Sequence, residues 1–147
     1  MPHLTKEELA PFLPHAGAMR LIDRVDAWDD STIRCCAGSH RDPANPLRYE
    51  ARLDAVAGLE YAAQAMGLHV GLCNQTRSGE GVIGYVGSLR DVAFCVDRLD
   101  ECPAELTIDA TRLYADGQNF VYQFAVSSGG HEVVSGRASI FLKRVRA

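Results

Sequence analysis

One carboxylate stands out in this sequence because of the residues around it. Glu60 lies within residues 55–73, the longest apolar run of the chain, and Gln64 follows it one helical turn later. A carboxylate without a partner in apolar surroundings costs several kcal/mol, or it takes up a proton instead. A protonated carboxyl group on a rigid element suits general acid catalysis. Glu60 is therefore our first candidate for a proton donor, and Gln64 is a candidate for orienting it or for binding water or substrate beside it.

The base that works with such an acid is most often a histidine, and the chain has five. His3 lies near the N-terminus, and His131 follows two glycines in an expected hairpin turn. His69 lies deep in the apolar run, which favours a core residue with satisfied hydrogen bonds. His15 and His40 are left as the candidate bases.

Each of these candidates also has a purely structural alternative. A tyrosine or arginine at a subunit interface would satisfy Glu60, and a hydrogen bond from the helix to the sheet would account for Gln64. His15 and His40 would each anchor a loop through one hydrogen bond. The sequence leaves both interpretations open.

The spacing within the apolar run predicts a buried helix. The residues Val56, Leu59, Ala63, Met66 and Val70 recur on one helix face. The other faces are also mostly Ala, Gly and Leu, and a helix that is apolar all round is buried in a core or in a membrane. We therefore expect a long helix over residues 55–73 that the rest of the chain encloses.

The start of this helix is a second candidate site. Asp54 is the expected N-cap, and the backbone N–H groups near Val56 and Ala57 are expected to be free. Together with the positive end of the helix dipole, they would polarise a carbonyl group. Ala57 and Gly58 are small enough for a substrate to approach the backbone, although close packing of a strand would also require small residues. Val56, Ala57 and Gly58 are thus candidate substrate-binding residues.

The whole chain, residues 1–147, is predicted to be a single α+β domain. A short helix ends near residue 12, strands follow at residues 19–25 and 31–37, and a polar loop at residues 39–54 leads into the long helix. Further strands are expected at residues 105–114, 120–127 and 131–142, and two runs at residues 82–86 and 92–96 form either two short strands or one bent strand. A curled antiparallel sheet around one central helix satisfies this order, and its open edge would pair with a second subunit.

The composition argues against several classes of protein. The net charge is −4 and no basic stripe interleaves with aromatic residues, so nucleic-acid binding is not expected. Glu60, Gln64 and His69 inside the apolar run argue against a membrane span. Five cysteines without a CxxC pair, and no secretory signal, favour reduced thiols in a cytoplasmic protein without a bound metal.

Three motifs occur in order along the chain: LPH at residues 13–15 followed by MRLIDRV at 19–25, GLExxxQ at 58–64, and YxG at 85–87 leading to Phe94. They resemble the opening motif, the central helix and the following strand of the 3-hydroxyacyl acyl-carrier-protein dehydratases of the hotdog fold. The resemblance covers most of the chain. It implies the hotdog fold, a curled antiparallel sheet wrapped around one long helix.

One motif of that family is absent. The family carries Gly-His-Phe-Pro in the loop before the helix, and the histidine of this motif is its usual base. Counting back from Glu60 by the family's spacing gives Pro46 instead. The loop at residues 39–47 resembles the divergent dehydratase subunits of aryl-polyene pathways, which pair with a second hotdog protein. The resemblance therefore implies either a homodimer or a heterodimer with a second hotdog subunit.

The resemblance implies loss of water from a 3-hydroxyacyl thioester in fatty-acid-like or aryl-polyene biosynthesis. The substrate is carried on the phosphopantetheine of an acyl carrier protein, and no other cofactor is expected. His15 lies in the LPH motif, which lines the acyl tunnel in the family, so it is the preferred base, with His40 as the alternative and Glu60 as the acid.

A basic loop would meet the carrier protein under the same interpretation. Arg41, Arg48 and Arg52 crowd the loop before the helix, and they would contact an acidic carrier or its phosphate unless they are ordinary solvated charges. Two other functions fit the same fold: a non-catalytic hotdog subunit of a heterodimeric dehydratase, and an acyl-CoA thioesterase. Fold alone does not decide the chemistry.

Overall fold

The computed structural model describes residues 3–13, 17–74 and 82–144, in which one antiparallel sheet packs on one long helix. The helices are α1 (Lys6–Leu9) and α2 (Gly58–Asn74), and 3₁₀ turns cover Ala10–Phe12, Gly17–Met19, Ser39–Arg41 and Ala55–Ala57. The strands are β1 (Arg24–Trp28), β2 (Thr32–Ala37), β3 (Val82–Phe94), β4 (Leu106–Ala115), β5 (Asn119–Ser128) and β6 (His131–Arg144). The predicted α+β class is confirmed.

The six strands form one sheet in the order β1-β2-β4-β5-β6-β3, and each described pair is antiparallel. α2 lies between β2 and β3 in sequence and contacts β2, β4, β5 and β6. The helix therefore crosses the inner face of the sheet, while β3 is added at the far edge beyond β6.

Alternation along the strands places one apolar face of the sheet against α2. The buried apolar residues of β4 and β5 are Leu106, Ile108, Ala110, Phe120, Tyr122, Phe124 and Val126. Because successive side chains of a strand point to opposite faces, these residues form one layer. The hairpin turn expected at the two glycines before His131 is present, and a second turn at residues 116–117 joins β4 to β5; Gly117, Gly129 and Gly130 adopt the positive φ angles that such turns require.

One strand prediction is revised. The strand predicted over residues 19–25 is replaced in its first part by the turn Gly17–Met19, and β1 begins only at Arg24. The runs expected at residues 82–86 and 92–96 form one strand, β3, which ends at Phe94 and whose pairing with β6 shifts at two places. This matches the alternative of a single bent strand.

The sheet leaves one side of α2 open, so the expectation of a fully enclosed helix is wrong. Val56, just before α2, is 59% exposed and Gly67 is exposed, with Leu59 and Ala63 half-buried between them. These positions recur every three or four residues and therefore share one side of the helix. In the described part of the chain, no helix is long and apolar enough to cross a membrane.

The edge strand β3 is exposed along almost all of its described length. Its exposed apolar residues are Tyr85, Val86, Leu89 and Phe94. Tyr85 stacks on Phe141 of β6, with ring centroids 5.4 Å apart. Over the described residues β6 is the only strand paired with β3, so the outer edge of β3 has backbone groups that another strand would satisfy.

Candidate functional site

The chain enters α2 through a 3₁₀ turn that leaves one backbone donor unused. Ala55 N–H donates to Asp97 O at 3.0 Å, and Ala57 N–H donates to Asp54 O at 3.0 Å. Among the described residues, Val56 N–H donates no hydrogen bond. The expectation of free donors is therefore met at Val56 and wrong at Ala57, because the tight turn uses the Ala57 N–H internally.

Asp54 occupies the N-cap position but does not cap the helix with its side chain. Its carboxylate instead accepts a hydrogen bond from Arg52 Nε, with Oδ1 and Nε 2.6 Å apart. Arg52 was expected to bind a phosphate or an acidic carrier, and here its charge is paired at the surface. Arg41 and Arg48 donate to the carbonyl oxygens of Pro103 and Ala51 at 2.7 and 3.2 Å, so these contacts leave their charges unneutralised.

Gly58 faces the sheet rather than an open site. A Cβ added at this position would lie 2.8 Å from Val134 Cγ1 on β6, and the residue is buried. The structural alternative therefore accounts for this glycine, since only glycine lets α2 approach β6 this closely.

Glu60 lies one turn after Val56, about 6 Å further along the helix axis. It is half-buried, unlike the fully buried carboxylate that the apolar run predicted. The reason is the open side of α2, where the neighbouring residues Leu59 and Ala63 are half-buried as well. Glu60 therefore lies beside surface that a substrate or a second subunit can reach.

Gln64 is buried and holds the backbone of a distant segment. Its Oε1 accepts from Leu21 N–H at 2.9 Å, and its Nε2 donates to Met19 O at 2.8 Å. The side chain is 2% exposed. These contacts match the structural alternative, although the partner is the segment that precedes β1 rather than a strand.

Of the two candidate bases, His15 lies outside the described residues. His40 is completely buried, and its Nε2 lies 3.0 Å from Cys102 O, so Nε2 carries the proton and donates it. Its Nδ1 is buried without a hydrogen-bond partner among the described residues. Burial lowers the pKa of the imidazole. This arrangement matches a loop anchor, and the choice of base stays a prediction.

His69 is a core residue with both ring nitrogens bonded, as the sequence predicted. Its Nδ1 lies 2.6 Å from Tyr122 Oη, and its Nε2 lies 2.7 Å from Asp29 O. A carbonyl oxygen only accepts, so Nε2 carries the proton and the tyrosine hydroxyl donates to Nδ1. Burial lowers the pKa of His69 and keeps it neutral.

One polar residue beside Glu60 was missed by the sequence reasoning. Tyr61 is fully buried, and its hydroxyl lies 2.7 Å from Ser39 Oγ and 3.1 Å from Asn45 Nδ2. The signal was present, because the hydroxyl of a buried tyrosine must find a partner. In the described part of the chain, no group of three His, Cys, Asp or Glu side chains is placed to hold a metal ion.

Comparison with solved structures confirms the expected hotdog fold. A chain of the dehydratase heterocomplex ApeI:P from Xenorhabdus doucetiae matches with a TM-score of 0.81 and 23% identity, over 92% of this chain and 91% of that chain. The thioesterase HI1161 from Haemophilus influenzae matches with a TM-score of 0.66 and 14% identity, over 97% and 93% of the two chains. At these identities the likeness establishes the fold and leaves the chemistry undecided.

Comparison of sequences decides the family. No curated protein is significantly similar to this chain. The family model of the ApeP-like proteins, described as ApeP dehydratase, matches residues 7–146, which is nearly the whole chain. The expected membership among hotdog dehydratases is thereby confirmed. The chain belongs to the ApeP-like dehydratase family.

Proposed function

We propose that this chain is a catalytic subunit of a dehydratase that acts on a 3-hydroxyacyl thioester carried by an acyl carrier protein. The product is the trans-2-enoyl thioester of an aryl-polyene or related fatty-acid-like pathway in the cytoplasm. The observation that carries the proposal is the placement of half-buried Glu60 one turn from the unused Val56 N–H, on the open side of α2. Membership in the ApeP-like dehydratase family supports this chemistry.

The reaction begins with removal of a proton from C2 of the acyl chain by the base. Charge moves to the thioester carbonyl oxygen, where Val56 N–H and the positive end of α2 would stabilise it. One donor of this kind is worth about 3 kcal/mol in other enzymes. Glu60 then gives its proton to the 3-hydroxyl group, the C3–O bond breaks, and water leaves as the C2–C3 double bond forms. The proton taken by the base later returns to Glu60.

We propose His15 as the base and His40 as the alternative. His15 belongs to the segment whose continuation, Met19 to Leu21, is hydrogen-bonded to α2 one turn beyond Glu60. His40 would have to leave its bond to Cys102 O before it could act, because its ring is completely buried. The phosphopantetheine arm of the carrier would bring the substrate, and neither a metal nor another cofactor enters the reaction.

A second hotdog subunit would complete the enzyme. The edge of β3 is unpaired over the described residues, and its exposed Val86, Leu89 and Phe94 form an apolar strip that a partner strand would cover. The open side of α2, with the small residues Ala63 and Gly67, would allow close approach of the partner. We propose a heterodimer because the similar chain of the ApeI:P complex comes from a heterocomplex, and a homodimer is the alternative.

The test uses the purified chain, alone and co-purified with a candidate hotdog partner subunit, and a synthetic 3-hydroxyacyl carrier protein. Mass spectrometry follows loss of water from the acyl chain and release of the free thiol. We expect Glu60→Gln to lower kcat by roughly 10²- to 10⁴-fold, the usual contribution of an acid–base residue. His15→Ala and His40→Ala distinguish the two bases in the same assay.

Glu7→Gln is the matched control, because Glu7 is an exposed carboxylate on α1 that changes in the same way. A Glu60→Gln complex that retains full activity would identify this chain as a non-catalytic subunit and overturn the proposal. Release of free thiol without loss of water would instead identify a thioesterase.

A further inference from the structure

The hydroxyl of Tyr61 is the centre of a directed chain of hydrogen bonds. Asn45 Oδ1 accepts from Leu47 N–H at 2.8 Å, which fixes the orientation of the amide and turns Nδ2 toward Tyr61 Oη. Ser39 Oγ donates to Leu21 O at 2.9 Å, so its single proton is used there. Tyr61 must therefore donate to Ser39 Oγ and accept from Asn45 Nδ2.

This series of hydrogen bonds closes into a ring through Gln64. The peptide groups of Leu21 are held on both sides, because Leu21 N–H donates to Gln64 Oε1 at 2.9 Å and Leu21 O accepts from Ser39 Oγ. The ring runs from Tyr61 through Ser39 and Leu21 to Gln64, and so back to α2. It joins three separate parts of the chain: α2, the loop after β2 and the segment before β1.

We propose that the Tyr61 hydroxyl and Ser39 position Glu60, and that this ring is a positioning device for the acid of the reaction. The inference rests on the proposed role of Glu60. Tyr61 is the next residue after Glu60, and Gln64 lies one helical turn beyond Glu60. The hydrogen bonds of Tyr61 and Gln64 therefore fix the rotation of this turn of α2 about the helix axis and its position along that axis. Polar bonds have defined directions, whereas the apolar contacts of Ala62 and Ala65 leave the helix freer to rotate or slide.

The far end of α2 supplies a matched control. Tyr122 is also completely buried, and its hydroxyl donates to His69 Nδ1 at 2.6 Å. Tyr61→Phe and Tyr122→Phe therefore remove the same atom from equally buried rings that each have a polar partner on or beside the same helix. His69 lies nine residues after Glu60, about 13 Å further along the axis. A loss of general stability would affect both variants, whereas a loss of positioning would affect Tyr61→Phe alone.

The experiment measures kcat and KM of the active dehydratase complex for the wild type, Tyr61→Phe, Tyr122→Phe, Ser39→Ala and the double variant Tyr61→Phe/Ser39→Ala. We expect Tyr61→Phe to lower kcat roughly tenfold with little change in KM, because a small displacement of a catalytic group has a large effect on rate. Tyr122→Phe should stay within about twofold of the wild type, as expected for a residue remote from the chemistry. The kcat of the double variant should be no lower than that of the more impaired single variant, because both changes break the same series of hydrogen bonds.

Glu60→Gln is measured beside these variants to separate the two levels of the proposal. If Glu60→Gln abolishes turnover while Tyr61→Phe and Tyr122→Phe have equal kcat, the positioning role is overturned and the proposed function stands. If the Glu60→Gln variant has normal turnover, both the positioning role and the proposed function are overturned. If Tyr61→Phe does not fold, Ser39→Ala still tests the proposal, because it removes the hydroxyl that bonds to Tyr61 from a half-buried position in the loop.

Discussion

The two ends of α2 both bury polar side chains, but they do so with different chemistry. At the N-terminal end, Tyr61 and Gln64 bond to a serine hydroxyl and to backbone groups, and Glu60 beside them is half-buried at the open side of the helix. At the C-terminal end, His69 is buried with Tyr122 Oη and Asp29 O on its two ring nitrogens. Neither nitrogen of His69 is left for a substrate.

If Glu60 is the acid that we propose, the difference shows that the kind of residue is a poor guide to the site and that access to a substrate is a better one. The imidazole is the stronger candidate for catalysis by residue type, yet its donor and its acceptor are both used inside the core. The carboxylate end has its supporting groups satisfied, while Glu60 itself lies beside accessible surface. A catalytic group on a rigid, satisfied frame is the arrangement that precise chemistry needs.

The largest effect on stability is expected from removing the two hydrogen bonds that Gln64 makes to Leu21 and Met19. Gln64→Met keeps the length and most of the volume of the side chain but leaves the Leu21 N–H and the Met19 carbonyl without their partners. A buried polar group without a partner costs about 1–3 kcal/mol, so the loss of both partners should lower the free energy of unfolding, measured in urea, by roughly 2–6 kcal/mol. Met66→Leu, a buried apolar exchange on the same helix, is the control and should cost less than about 1.5 kcal/mol. An equal decrease in the free energy of unfolding in the two variants would show that the hydrogen bonds of Gln64 do not stabilise the fold.

The sequence was sufficient for most elements of this fold, although β1 begins later than expected. Alternating apolar residues in β4 and β5 and the apolar run of α2 follow directly from the periods of strand and helix. The motif around Glu60 also indicated the correct family, which the match over residues 7–146 confirms.

The sequence could not supply the contacts that depend on distant segments. Gln64 bonds to residues 43 and 45 positions away, and nothing local distinguishes this from a bond to Glu60 or to a sheet. The open side of α2 is also invisible in the sequence, because apolar residues that face a partner have the same composition as those that face the core. The Ala57 N–H is used because the helix begins with a 3₁₀ turn rather than an α-helical turn. Sequence patterns do not fix a helix start to within one residue.

The C-terminal end of α2 should lose stability as the pH falls, because His69 is buried there. Burial lowers the pKa of His69 below its ordinary value near 6.5, so the folded state binds fewer protons than the unfolded state just below that pH. The stabilisation from neutral His69 is therefore complete above about pH 6.5 and is lost as the pH falls through the folded pKa, by at most about 1.4 kcal/mol per pH unit. His40, whose pKa is also lowered by burial, acts in the same direction.

Urea unfolding between pH 7.5 and 5 measures this slope. His69→Gln should reduce the slope, and His40→Gln should reduce it separately. Tyr61→Phe should lower stability by a similar amount at every pH in this range, because burial raises the pKa of the Tyr61 phenol above its ordinary value of 10 and it does not titrate here. A slope unchanged by His69→Gln would mean that His69 does not carry the acid sensitivity.

The smallest expected effect comes from Gly67, one of two glycines of α2 that differ in what lies beside them. Gly67→Ala adds a methyl group where no atom lies within 4 Å, so it should gain helix propensity and stabilise the isolated chain by about 1 kcal/mol. Gly58→Ala makes the same change against Val134 Cγ1, 2.8 Å from the new atom, and the overpacking should cost about 1–3 kcal/mol. Urea unfolding of the chain without a partner compares the two variants under identical conditions. A stabilising Gly58→Ala would show that α2 can move away from β6, and it would then be difficult to regard the N-terminal end of the helix as a rigid support for Glu60.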